Sequence, residues 1–302
     1  MTIDTIGSGV ESKLTWSGLL AALEAGHRKS KAEIKDMFLY RGADTVLNRA
    51  AWIDGIGQLV KVATVFPGNA SAGLPTINGA VTLFDDRTGV LRALVDFHLV
   101  TKWKTAGDSL LSAKRLARPE SRKILLVGAG AVARSMIDAY SSVFEKPQFT
   151  VWSRSRDSAA AMGKTVADDL ESAVRAADII CTATMTKEPL IKGEWLQPGQ
   201  HLDLIGAYRP DMREVDDEAM RRARVFVDSR DTTLHHIGEL MAPIKSGAIS
   251  ESDVIADFYD DPSAYSRRSE TEITIAKNGG GAHLDLMTAD YIAGVWSSVR
   301  SQ

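Results

Sequence analysis

A chain of 302 residues, 44% hydrophobic and 25% charged with a net charge of −3, has an ordinary globular composition and the length for two domains with sizeable cores. It has no basic excess with which to neutralise a phosphate backbone, so nucleic acid is excluded as the expected partner and a small molecule takes its place. No apolar run reaches the length of a membrane span, the first residues lack the basic and apolar segments of a secretory signal, and the single cysteine rules out an internal disulfide; a cytoplasmic location is expected.

In chain order, a cap at Thr15 or Ser17 opens an amphipathic helix over 15–28, with Leu19, Leu20 and Leu23 at helical spacing. From Met37 the texture changes to short β-like runs, 59–66, 80–84 and 91–95, separated by Pro, Gly and Asp turn clusters, which predicts an antiparallel meander. A long helix over 101–116 follows, with Ala106, Leu110, Ala113 and Ala117 on one face. Lys61 alternates with Val60 and Val62 and so points to the opposite face from both. Lys102 and Lys104 fall at the expected helix start, where cations oppose the macrodipole unless an anion such as a substrate carboxylate is bound.

Beyond a break at 119–121, strands at 124–127, 149–152, 179–182, 202–205, 225–227 and 272–276 alternate with helices at 131–144, 157–164, 168–176, 216–223 and 232–244. The helix predicted over 282–299 is long enough to return to the first domain. The expected fold is α/β: a Rossmann-type doubly wound parallel sheet over 119–282, with an α+β substrate and dimerisation domain formed by 1–118 and completed by 283–302.

The buried run Ile124–Val127 stops in Gly128-Ala129-Gly130-Ala131-Val132-Ala133, which opens a helix. In this pattern Gly128 permits the turn, Gly130 lets the backbone approach a pyrophosphate, Ala133 keeps helix and strand close, and the N–H groups of the first helical turn from Ala131 and Val132 onward face phosphate charge. The end of the second strand, Ser153-Arg154-Ser155-Arg156, has no acid to accept from a ribose 2′-hydroxyl and two arginines that suit a 2′-phosphate, so NADP(H) is expected, with NAD(H) as the second option. Thr182, Ala183 and Thr184 end a further strand and border the same crevice. The six histidines show no metal-ligand spacing, no nucleophile elbow is present, and Cys181 lies in an apolar run as a core residue; no metal site is expected.

These features combine with Val60-Lys61-Val62, Phe66-Pro67-Gly68-Asn69, Gly73-Leu74-Pro75-Thr76, Leu83-Phe84-Asp85, Thr101–Ser109, Glu188-Pro189 and Arg213-Glu214 into a pattern that resembles the ornithine cyclodeaminase and μ-crystallin family from about Arg41 to Ala293. The resemblance implies a homodimer, paired through a first domain that holds substrate against the Rossmann domain, and a nicotinamide cofactor acting on amino acids or their imines. It implies an active-site lysine at Lys61 and a carboxylate-binding arginine at Arg41, with Arg49 as the other candidate. Lys104 falls where many members have arginine, Asn278 lies in the loop beside the nicotinamide ring, and Tyr208 replaces the aspartate that cyclodeaminases use to eliminate ammonia.

The reading that follows is an NADPH-dependent reductase of imino acids, Δ1-pyrroline-2-carboxylate or its six-membered homologue first, in which Arg41 and Lys104 hold the carboxylate and Lys61 shares that contact or relays the proton. An ornithine cyclodeaminase, an alanine-type amino-acid dehydrogenase and a non-enzymatic NADPH-dependent ligand-binding protein are the alternatives.

Overall fold

The computed structural model describes residues 3–301. The chain forms two compact units, Met1–Lys104 with Gly281–Gln302, and Thr105–Gly280. The division falls inside a helix, ahead of the break at Pro119.

The first unit contains β1 (Asp4–Ile6), α1 (Trp16–His27), β2 (Glu33–Arg41), β3 (Asp44–Ile53), β4 (Gly57–Val65), β5 (Ile77–Phe84), β6 (Leu91–Asp96), the start of α2 (Phe97–Leu116) and the C-terminal helix Ala282–Arg300. Its sheet runs β1-β6-β5-β4-β3-β2, antiparallel except for the β1–β6 pair. Thr15 caps α1, its hydroxyl accepting from the Gly18 N–H at 3.1 Å. Leu59, Val81, Leu83 and Val95 are buried on the face that the C-terminal helix covers.

The hairpin of β2 and β3 escapes the alternation rule because neither face of β2 is buried: Met37, Phe38, Leu39 and Tyr40 are all exposed. The long helix also starts one turn earlier than the periodicity predicts, since Asp96 Oδ1 accepts from the Leu99 N–H at 2.7 Å and caps it. The helix-start argument for Lys102 and Lys104 therefore falls. Lys102 instead pairs with Glu11 at 2.8 Å, and Lys104 is buried.

The second unit continues α2 and adds β7 (Lys123–Val127), α3 (Ala131–Ser141), β8 (Gln148–Trp152), α4 (Arg156–Ala160), β9 (Thr165–Val166), α5 (Leu170–Ala176), β10 (Ile179–Thr182), β11 (His201–Leu204), α6 (Asp217–Arg222), β12 (Ala223–Val227), α7 (Arg230–Thr233), α8 (Gly238–Ser246), β13 (Val254–Ala256) and β14 (Ile273–Lys277). All eight strands are parallel, in the order β13-β12-β14-β11-β10-β7-β8-β9. This is the doubly wound sheet expected. From β7 the chain winds outward through β8 and β9, then crosses back to β10 on the other side of β7, so the topological switch point lies between the carboxyl ends of β7 and β10. The single helix predicted over 232–244 is two, α7 and α8, and the acidic stretch after it contains β13. Among the described residues no helix is long and apolar enough to cross a membrane.

Candidate active site

Within the first unit, the antiparallel register sets Asp36 opposite Arg49, Arg49 opposite Lys61 and Lys61 opposite Val81. Directly opposed residues share a face, so the register makes one row of three charged side chains on the covered side of the sheet. The apolar neighbours Val60 and Val62 are more exposed than Lys61, which is buried. Its ammonium donates to Asp285 Oδ1 and to Thr101 Oγ1, each at 2.8 Å, and lies 4.7 Å from the centre of the Phe97 ring. Thr101 in turn donates to the Phe97 carbonyl at 2.7 Å, which orients its lone pairs toward the lysine. Arg49 donates twice to Asp36, at 2.6 and 3.3 Å, and its Nη1 is 3.8 Å from Asp285 Oδ2.

Burial pushes the Lys61 ammonium below its ordinary pKa; Asp285 opposes that fall, and the charges of Lys104 and Arg49 add to it. For Asp285, burial alone would raise the carboxyl, but Lys61, Lys104 and Arg49 outweigh it and hold the group below the usual range. Two residues earlier on the same helix, burial holds His283 far below its ordinary value, with His27 and Lys104 reinforcing it, so the ring is neutral. Three cations face two carboxylates in this group, which leaves one positive charge for a small anion.

The structure brings Lys61, Lys104 and Arg49 together and leaves Arg41 outside. The Arg41 side chain is 80% exposed at the end of β2, paired with Asp44 at 3.0 Å and 5.6 Å over the Phe66 ring. Asp285 belongs to no sequence motif. The signal for it is a lone acid in His283-Leu284-Asp285-Leu286-Met287, a helical run whose members are all buried and in which a carboxylate requires a cation partner.

In the second unit, the candidate cofactor residues lie at the carboxyl ends of the parallel strands or at the elements that follow them. Gly128 ends β7 at φ 115°, and a Cβ there would stand 2.7 Å from the Ala183 carbonyl. Gly130 precedes α3 without a side-chain cap, a Cβ on it would meet nothing within 4 Å, and the first-turn N–H groups of Ala131 and Val132 follow it. Thr182, Ala183 and Thr184 end β10, Tyr208 follows β11 and is exposed, and Asn278 follows β14. After β8, Ser153 precedes an exposed Arg154; Arg156 begins α4 and pairs with Asp168.

This edge fits a nicotinamide dinucleotide. Thr182 Oγ1 and both side-chain polar atoms of Asn278 are buried without a hydrogen-bond partner among the described residues, and a carboxamide needs just such a donor and acceptor. Among the described residues no cluster of His, Cys, Asp or Glu is arranged to hold a metal ion, and Cys181 is buried, its thiol pushed well up by burial.

Residues 53–300 match the ornithine cyclodeaminase/mu-crystallin family. The chain belongs to that family. Its relatives include a Delta(1)-pyrroline-2-carboxylate reductase of Paracoccus denitrificans, 51% identical over 295 residues that cover 94% of this chain and 93% of the relative. The mouse ketimine reductase mu-crystallin is 34% identical over 244 residues, 79% of this chain and 76% of its own. Among solved structures, an archaeal alanine dehydrogenase dimer with bound NAD superposes with a TM-score of 0.90 at 26% identity, covering 99% of this chain and 98% of that one. The names of these similar proteins span different chemistry, from reductases to an alanine dehydrogenase.

Proposed function

We propose that the protein is an NADPH-dependent reductase of cyclic imino acids, with Δ1-pyrroline-2-carboxylate or its six-membered homologue as substrate and the L-amino acid as product. The coarser reading is an oxidoreductase of carbon–nitrogen bonds that uses a nicotinamide cofactor, in line with the reductase names of its relatives. The observation that carries the finer one is the buried Lys61 group, with its surplus positive charge, in a chain 51% identical to a pyrroline-carboxylate reductase.

The dinucleotide, when bound, supplies a hydride from the nicotinamide ring. The chain's own residues deal with the substrate's charges. Arg49 and Lys104 hold its carboxylate, Arg49 doing so with the planar fork that suits a two-point contact. Lys61 spends two of its three N–H donors on Asp285 and Thr101 and has one left for the imine nitrogen or the carboxylate. Reduction of the C=N bond requires a proton on nitrogen, and Lys61, whose ammonium burial makes more acidic than an ordinary lysine, would hold one for it. At the other end of the cofactor, Ser153 and Arg154 receive the 2′-phosphate, while the partner Asp168 neutralises Arg156.

The protein acts as a homodimer in this reading. The edge strand β2 leaves Met37, Phe38, Leu39 and Tyr40 exposed beside an unpaired backbone edge, a surface that soluble proteins normally cover.

A spectrophotometric assay tests the function: consumption of NADPH and NADH with cyclic imines, and with 2-oxo acids plus ammonia, alongside ammonia release from ornithine. Oxidation of NADPH by the cyclic imines supports the proposal. Ammonia released from ornithine without net cofactor turnover, or reduction only of 2-oxo acids with ammonia, overturns it.

A further inference from the structure

We propose that Glu214 is a positioning residue of the cofactor site, its buried carboxylate holding the loops that follow β10 and β11 at the spacing a nicotinamide dinucleotide requires. The proposal rests on the reading of this unit as the nicotinamide-binding one.

One oxygen of Glu214 accepts from the N–H and the hydroxyl of Thr184, both at 2.8 Å, and the other from the N–H groups of Gly206 at 2.7 Å and Ala207 at 3.3 Å. Four donors converge on a side chain that is fully buried, so both of its oxygens serve as acceptors for the two loops. The loops it joins come close: a Cβ on Gly206 would stand 1.9 Å from the Thr184 carbonyl oxygen. Backbones so near each other past the end of the sheet have no strand ladder to fix them, and Glu214 supplies the bonds instead.

The carboxylate is itself anchored. Glu239, in the first turn of α8, accepts from the backbone N–H of Glu214 at 2.7 Å and of Val215 at 3.0 Å. Lys277 at the end of β14 lowers the cost of the buried negative charge, and its ammonium donates to the Leu204 carbonyl at 2.8 Å and the Asn278 carbonyl at 3.0 Å. The network therefore reaches Thr184, Gly206 and Asn278, at the ends of three neighbouring strands on the ligand edge of the sheet. A carboxylate needed only to stabilise the core would have no reason to end on that edge alone.

Glu239 makes the network sensitive to pH. Burial and the charge of Glu214 push its pKa up to about 7 against the pull of Lys277. The charged groups around the pair are Glu214, Lys277 and, acting on Lys277, Asp228 and Asp108. Ionisation of Glu239 adds a second buried negative charge beside Glu214, and an anionic dinucleotide binds less well as it appears.

The test is NADPH binding followed by fluorescence, with circular dichroism and thermal melts as folding controls. Glu214→Gln turns one carboxylate oxygen into an amide NH2 that faces N–H donors; the expected result is a Kd for NADPH raised about tenfold or more, with the KM for the imine at saturating NADPH within about twofold of wild type. Wild-type affinity is expected to fall severalfold as pH rises from about 6 to about 8, and Glu239→Gln to flatten that dependence. A folded Glu214→Gln protein that binds NADPH within about twofold of wild type overturns the proposal. Should Glu214→Gln fail to fold, Glu214→Asp, which keeps the charge but is one methylene too short to reach both loops, is expected to raise the Kd severalfold, and a folded Glu214→Asp protein with wild-type affinity for NADPH does the same. Wild-type protein that binds neither NADPH nor NADH refutes the cofactor reading itself, a different failure.

Discussion

Lys61 Nζ lies 2.8 Å from Asp285 Oδ1, a contact between residues 224 positions apart in the chain. The pair holds the lysine in place and also sets its charge, since burial favours the neutral amine and Asp285 favours the ammonium. If turnover needs the charged form, kcat/KM falls as pH rises through a pKa that lies below the ordinary 10.5 of lysine. Asp285→Asn removes the stabilising charge, so the alkaline limb is expected at lower pH than in wild type. Lys61→Met is expected to lower kcat/KM by about 10²- to 10⁴-fold and leave the Kd for NADPH unchanged. A pH–rate profile of Asp285→Asn with its alkaline limb unmoved would show that the aspartate does not control the lysine.

The two arginines of the β2–β3 hairpin are expected to behave differently. Arg49 touches the charged group through Asp285 and Asp36, and among the described residues Arg41 pairs with Asp44 and lies over the Phe66 ring. Arg49→Leu deletes the guanidinium proposed to hold the substrate carboxylate and leaves the buried Asp285 and the exposed Asp36 undercompensated; the KM for the imino acid is expected to rise about 10- to 100-fold. Arg41→Ala is expected to stay within about twofold of wild type, as exposed pairs contribute little. Steady-state kinetics on the two variants decide between them.

How far such residues can be found in advance depends on how local their signal is. The buried run at Ile124–Val127, its glycine turn and the helix behind it are consecutive in the chain, so the doubly wound sheet and its phosphate turn can be read directly. The Asp96 cap is equally local, but Phe97, Leu99 and Val100 crowd the first turn without the helical spacing of the later apolar residues, so periodicity marks the start of α2 one turn late. Arg49 needed the strand register, because only the pairing opposite Lys61 shows that it joins the group whereas Arg41, eight positions earlier on an exposed strand, does not. Asp285 and Glu214 act through contacts with segments distant in sequence, and no periodicity carries that information.

Cofactor preference is expected to rest on Arg154. It is exposed after β8 and makes no ion pair among the described residues, while Arg156 is already paired with Asp168. Arg154→Ala should weaken NADPH binding about tenfold and leave NADH binding within about twofold, since only the 2′-phosphate is lost as a partner. Arg156→Ala should have the smaller effect on NADPH. Equal losses for both cofactors in the Arg154 variant would place the 2′-phosphate elsewhere.

Glu239 gives a prediction for stability as well as for binding. Its folded pKa is about 7 against an ordinary value of 4.5, so between those two pH values the unfolded chain has released a proton that the folded protein still holds. The folded state binds more protons there, and stability contributed by this group falls as pH rises from about 4.5 to about 7, then stays level. Glu239→Gln lacks that titration. Melting temperatures of the two proteins measured at intervals from about pH 5 to about pH 8 should therefore show wild type losing ground to the variant up to about pH 7, and a constant difference above it. A difference that does not change with pH would mean that Glu239 titrates at its ordinary value and that Lys277 fully compensates the buried charge of Glu214.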